Sequence, residues 1–277
     1  MRLNRAQRAQ MAQETLRIIA EGHYTSPSGQ HVDIEAAVAA SVAGTREFPS
    51  GQRVRMPADL RHQHATQIVV RNETTLAAAH RLIADHRTIV LNFASAKNPG
   101  GGFLSGSEAQ EESLARSSSL YACLDGLPMY AFHQRRSDGL YTDYVICSPS
   151  VVVFRDDEGK LLETPFTCSF MSSPAPNAGV VLRQDPTCGY EIRQALRSRI
   201  DKVLSVAATQ GYDAIILGAW GCGVFKNDPE EVAAQFREAL TDSFAGVFKL
   251  VHFAVLDPSS DGVVITPFQQ AFGGDLS

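Results

Sequence analysis

The sequence predicts an α/β protein whose sheet is largely parallel or mixed. Three observations predict it. From Gln67 onward short β-branched runs alternate with helical stretches. Two glycine-rich segments directly follow two of those runs. Over 277 residues, 44% hydrophobic and 20% charged usage is ordinary for a globular chain, which excludes collagenous, coiled-coil and disordered classes. The length lies between one and two typical domains.

Residues 5–40 read as helix, broken by the turn residues Ser26-Pro27-Ser28-Gly29. Residues 67–70 and 88–93 read as short strands, with a helix over 74–86 between them. Residues 110–124 read as a further helix. Residues 144–154 form a long predicted strand, closed by the turn Asp156-Asp157-Glu158-Gly159, with 166–170 as hairpin partner or further strand. Ile192, Leu196, Ile200, Val203, Leu204 and Ala207 recur at helical spacing, and Gly211 sits where a C-terminal glycine belongs. Residues 213–217 are a buried-type strand. Asp228 can cap the next helix, Pro229 suits its first position and Glu231 completes a capping box. Residues 248–256 are a last apolar strand. No internal repeat or low-complexity segment appears.

Thirty acidic against twenty-five basic residues, a net charge of −5, argue against coating nucleic acid by bulk charge. No run of 18 apolar residues exists, so no membrane partner is expected. Four arginines precede Ile18, without an apolar stretch of signal-peptide length. Cys123, Cys147, Cys168, Cys188 and Cys222 are odd in number and widely spaced, which suggests neither disulfides nor zinc. His62 and His64 read as solvated surface. The expectation is a soluble, cytoplasmic monomer with no metal and no cofactor.

The glycine segments are Asn98-Pro99-Gly100-Gly101-Gly102-Phe103 and Gly218-Ala219-Trp220-Gly221-Cys222-Gly223-Val224-Phe225. Ligands of open α/β sheets bind beyond the C-terminal strand ends, so both loops point toward one crevice. Bare backbone N–H groups there can approach an anion such as a diphosphate. Neither loop is a Walker motif, and neither fits a dinucleotide fingerprint; tight turns explain many such segments.

Gln110-Glu111-Glu112 opens the helix after the first loop. One reading is purely structural: Ser107-x-x-Gln110 forms a capping box, and two early glutamates complement the helix dipole. The composite Gly100-Gly101-Gly102-x7-Gln110-Glu111-Glu112 carries more. It resembles the signature of poly(ADP-ribose) glycohydrolases, with the microbial, macrodomain-type branch the best likeness. Residues 218–225 look like that family's diphosphate-binding loop, and 69–75 resemble the strand-to-helix entry of macrodomains. The resemblance covers about 200 residues.

It implies a macrodomain-like three-layer α/β/α fold with a mixed sheet, plus an N-terminal helical extension. The chain would divide into a helical accessory region over 1–60 and a macrodomain-like catalytic domain over 61–277. By resemblance, Glu112 is the catalytic acid and Glu111 the neighbour that holds a ribose hydroxyl. Asn98 orients the terminal ribose beside Gly100, Gly101 and Gly102, and Gln110 belongs to the same binding set. In the second loop, which opens at Gly218, the residues Gly221, Gly223 and Val224 offer N–H groups to the diphosphate. Phe225 packs at the ribose end. Glu73 takes the adenine amino group, where many relatives have aspartate. The partners implied are poly(ADP-ribose) and ADP-ribosylated proteins.

The chemistry is consistent. Breaking a ribose–ribose O-glycosidic bond passes through an oxocarbenium-like state, and the leaving hydroxyl must be protonated. A donor working at neutral pH needs a raised pKa, which burial, Glu111 and the substrate diphosphate can supply. The alternative from another class is a macrodomain that only binds ADP-ribose, which would not need the glutamate pair. Hydrolysis of single ADP-ribose units is a third reading, and a nicotinamide-dependent oxidoreductase is disfavoured by the glycine spacing. Trp220 and the 268–272 segment read as packing, Cys222 as a small residue rather than a nucleophile, and Arg116 and Tyr121 as support for the catalytic helix.

Overall fold

A computed structural model describes residues 3–273. In chain order the elements are α1 (Arg5–Glu21), β1 (His23–Thr25), β2 (His31–Asp33), α2 (Glu35–Gly44), β3 (Arg46–Phe48), β4 (Gln67–Arg71), α3 (Thr75–Leu82) and β5 (Thr88–Phe93). There follow α4 (Gln110–Ser117), α5 (Leu120–Leu124), α6 (Pro128–Gln134), β6 (Val145–Arg155), β7 (Leu161–Ser173), α7 (Ala178–Gln184), α8 (Gly189–Thr209), β8 (Ala214–Leu217), α9 (Pro229–Thr241), β9 (Leu250–Ala254) and α10 (Ile265–Phe272).

Seven strands form one mixed sheet in the order β3-β6-β7-β5-β8-β9-β4. The five strands from β7 to β4 run parallel, while β3 and β6 pair antiparallel at one side. Side-chain alternation makes the sheet the middle of three layers. Ile89, Leu91, Ile215, Leu217, Val251 and Phe253 point to the face covered by α8, α9 and α10. Val90, Ile216 and Ile146 point to the opposite face, where α3, α5 and Leu114 of α4 pack. The fold class read from the alternating pattern is the observed one.

Several elements differ from expectation, each for a local reason. The turn at Ser26–Gly29 lies between two helices, α1 and α2, as expected, but it also closes a two-stranded hairpin, β1–β2. Strand β3, inside the segment expected to be helical, pairs with β6 and so completes the sheet's edge. The helix expected over 110–124 breaks at Ser118 and Ser119. There the chain drops onto β6, bridging Val153 and bonding Ser119 N–H to the Val152 carbonyl at 2.8 Å. Asp228 caps α9 by accepting from Glu230 N–H, but Glu231 accepts from Gln235 instead of closing a capping box.

Candidate active site

All five parallel strands end on the same edge, so Glu73, Ala94, Pro174, Gly218 and Val255 emerge together. A cavity of about 780 Å³ opens there. Its walls include Glu73, Phe93, Gln110, Cys222, Gly223 and Val255.

Glu111 sits under the first glycine loop and is 3% exposed. Its Oε2 accepts from Ser95 N–H at 2.6 Å, and its Oε1 faces Asn92 Nδ2 at 3.4 Å. Asn92, a fully buried amide in a largely apolar strand, also donates to Ser172 Oγ at 2.9 Å. Burial raises the Glu111 carboxyl to about 8; the Ser95 bond opposes this and the Glu112 charge adds to it. The burial expected to help raise the acid's pKa thus falls mainly on its neighbour.

Glu112 is half-buried, and its Oε1 accepts from Gly102 N–H at 2.9 Å. The loop must be glycine for this approach. Gly101 has φ +62°, and a Cβ there would fall on the Glu112 carboxylate and 3.0 Å from Glu111 Oε2. Both carboxyl groups therefore converge over one bare Cα. Asn98, exposed beside them, accepts from Gly101 N–H through its own carbonyl at 3.0 Å. Its side-chain amide has no protein partner among the described residues.

The capping-box reading of Ser107-x-x-Gln110 does not hold. The cap position of α4 is Ala109, with no side-chain bond. Gln110 is turned into the fold: Nε2 donates to the Leu91 carbonyl at 2.8 Å and lies 3.2 Å from Thr75 Oγ1, while Oε1 accepts from Phe93 N–H at 2.8 Å. Expected as a binding residue, it spends both ends of its amide tying α4 to β5 and α3.

The second loop is held from behind. Trp220 is fully buried, and its indole donates to the Ser173 carbonyl at 3.2 Å, so it is the packing plug expected. Asn227, which the sequence reading missed, is buried and donates to the Pro176 carbonyl at 2.8 Å and the Gly221 carbonyl at 3.3 Å. Among the described residues, the backbone amides of Gly221, Gly223 and Val224 have no acceptor, while the carbonyls of Gly221 and Gly223 are bonded within the loop. Gly218 passes against the Ala254 carbonyl, where a Cβ would lie 2.6 Å away. Val224 is 77% exposed, and Phe225 packs against Tyr141 with ring centres 6.0 Å apart. Burial lifts the Cys222 thiol to about 12, so it stays protonated at neutral pH.

Glu73 also lines the cavity. Its Oε1 accepts from Arg81 and from His252 Nε2 at 2.7 Å. His252 is almost fully buried; burial lowers its pKa despite the carboxylate, and the ring donates as its neutral Nε2–H form. Phe268 and Phe272 lie against Phe253, at 5.5 and 4.5 Å, inside the core. Arg116 donates to the Ser107 carbonyl at 2.6 Å, and Tyr121 packs on Phe103. Among the described residues no group of three or more His, Cys, Asp or Glu could hold a metal ion.

Residues 12–156 match the family model described as microbial-type PARG, catalytic domain. The chain belongs to this family of poly(ADP-ribose) glycohydrolases. The crystal structure of the Thermomonospora curvata glycohydrolase is 46% identical, covers 97% of this chain and 100% of its own, and superposes with a TM-score of 0.90. The same enzyme bound to the inhibitor ADP-HPD is 48% identical over 97% of this chain and 100% of its own, with a TM-score of 0.88. The Deinococcus radiodurans glycohydrolase in complex with ADP-ribose is 42% identical over 85% of this chain and 97% of its own, with a TM-score of 0.79. Among curated proteins none matches significantly. The glycohydrolases of known structure thus share this fold over most of the chain.

Proposed function

We propose that this glycohydrolase cleaves the ribose–ribose O-glycosidic bonds of poly(ADP-ribose), releasing ADP-ribose, with Glu112 as general acid and then base. The observation that carries the assignment is the convergence of Glu111 and Glu112 over Gly101, across the strand ends from three unengaged loop amides. The amides of Gly221, Gly223 and Val224 hold the diphosphate, which needs fixed neutral donors rather than mobile cations. Glu73 receives the adenine amino group on Oε2, since both protein bonds fall on Oε1. Binding energy gathered at these two points is then used to place the scissile bond.

Asn98 turns its unengaged amide to the terminal ribose. Glu111, neutral below pH 8, presents a hydroxyl to a ribose oxygen without adding charge beside the diphosphate. Glu112, fixed by Gly102 N–H, protonates the leaving 2′-oxygen as the C1–O bond breaks to an oxocarbenium-like state. The resulting carboxylate takes a proton from water as it attacks C1, which restores the acid. Five unpaired cysteines, three of them buried, support placing the enzyme in a reducing compartment.

Glu112→Gln tests the roles. Release of ADP-ribose from purified polymer should fall by a factor of ~10² to ~10⁴ or more, while ADP-ribose binding by calorimetry stays near that of the unaltered enzyme. Undiminished turnover in this variant would remove Glu112 from the chemistry.

A further inference from the structure

Helix α1 is far from the glutamate pair in sequence and close to it in space. Only Ala12, Thr15 and Ile18 of its 17 residues are buried. A helix kept for core burial presents a broad apolar stripe; α1 instead sends directed polar bonds into one segment. That segment, 103–109, joins the glycine loop to Gln110. Arg5 Nε donates to the Ser105 carbonyl at 2.9 Å, and Arg8 Nε donates to the Gly106 carbonyl at 2.8 Å. Arg8 also pairs with Glu108 at 3.0 Å.

The contact leaves no slack. Gly106 has φ +76°, and a Cβ there would collide with the Arg5 carbonyl. Ala12, fully buried, packs against Phe103 and Ala115. Phe103 in turn underlies Gly100, where a Cβ would sit 2.8 Å from its ring. At the other end of α4, Thr15 Oγ1 donates to the Arg116 carbonyl at 2.6 Å. The helix itself is fixed from behind, because Arg155 of β6 donates to Glu14 at 2.7 Å with its side chain only 3% exposed.

We infer that α1 is a positioning element of the active site, with Arg5 and Arg8 as positioning residues that hold the segment leading into Glu111 and Glu112, and so keep the pair at its catalytic geometry. The inference rests on the assignment of the glutamate pair made above. Arg8 borders the cavity, but its bonds run to the Gly106 carbonyl and Glu108, so the positioning role needs no substrate contact. The adenine and diphosphate contacts belong to other loops, so loosening this segment affects chemistry more than binding. An error of about 1 Å in placing a catalytic group costs on the order of 10²-fold in rate.

The test is steady-state hydrolysis of purified polymer together with ADP-ribose calorimetry and thermal melting. It uses Arg5→Ala/Arg8→Ala and Arg8→Lys in the full chain, with Glu112→Gln in parallel. The double variant should lose ~10-fold or more in kcat while its ADP-ribose Kd stays within about twofold of the original. Arg8→Lys keeps the charge opposite Glu108 but not the planar fork, and should fall between the two. It also keeps a measurable, folded enzyme if the double variant is too unstable to assay. An original kcat in both variants overturns the inference, as does a Kd that weakens in step with kcat. If Glu112→Gln is inactive while the arginine variants turn over normally, the role of α1 fails and the site assignment stands. If Glu112→Gln turns over normally, the site assignment itself fails.

Discussion

Burial sets the charge of Glu111. In the folded protein it stays neutral up to about pH 8, whereas the unfolded chain releases the same proton near 4.5. Between those values the folded state holds a proton that the unfolded state has lost. Stability from this group is therefore greatest at the acid end of the window and declines as pH rises through it. Thermal melting across pH ~5 to ~8 should show that decline, and Glu111→Gln should flatten it. A slope unchanged by the substitution would place the proton elsewhere. His252 offers a second check at this scale. Removing it as His252→Ala frees the Glu73 carboxylate from one of its two anchors, and a lost hydrogen bond to a charged group is worth about 1.5–3 kcal/mol. ADP-ribose affinity measured by calorimetry should weaken by roughly tenfold or more, with kcat on saturating polymer little changed.

At the scale of elements, α4 is positioned from outside itself. Its first turn lacks a side-chain cap, and Gln110 bonds instead to β5 and α3. Gln110→Ala leaves the Leu91 carbonyl and the Phe93 amide without these partners, and each such loss costs about 1–3 kcal/mol. Denaturant unfolding should show a destabilisation of that order, accompanied by a drop in kcat. The same helix shows what could be read beforehand. The glycine triplet and the glutamate pair were visible because their spacing is local. The strand–helix alternation was visible because its two periods are local too. What holds them in place was not: Gln110 meets β5, Asn227 anchors Gly221 and Arg8 meets Gly106, each by contacts that no local pattern encodes. Asn92 alone left a signal, a polar amide inside the otherwise apolar run 89–93. Strands β1, β2 and β3 are three residues each, too short for an alternation to register.

At the scale of the whole molecule, an acidic protein must grip a substrate that carries two phosphates per unit. The net charge of −5 repels polyanions in general. In the proposed function the site overcomes this locally, because residues 218–225 after β8 offer amides and contain no lysine or arginine. Amides release no counterions from the polymer when they bind it, so the usual electrostatic gain and its salt penalty are both absent. A protein using 6–10 cationic phosphate contacts loses about 10³- to 10⁵-fold in affinity between ~50 and ~200 mM salt. This one should lose less than roughly tenfold for poly(ADP-ribose) over the same range. Duplex DNA and single-stranded RNA, which offer phosphates but no ADP-ribose terminus, should bind too weakly to compete even at the low-salt end. Filter binding of inactive Glu112→Gln enzyme to labelled polymer, with DNA and RNA as competitors, measures both quantities. A steep salt dependence, or displacement of polymer by duplex DNA, would show that cationic side chains dominate the grip and that the neutral amides do not.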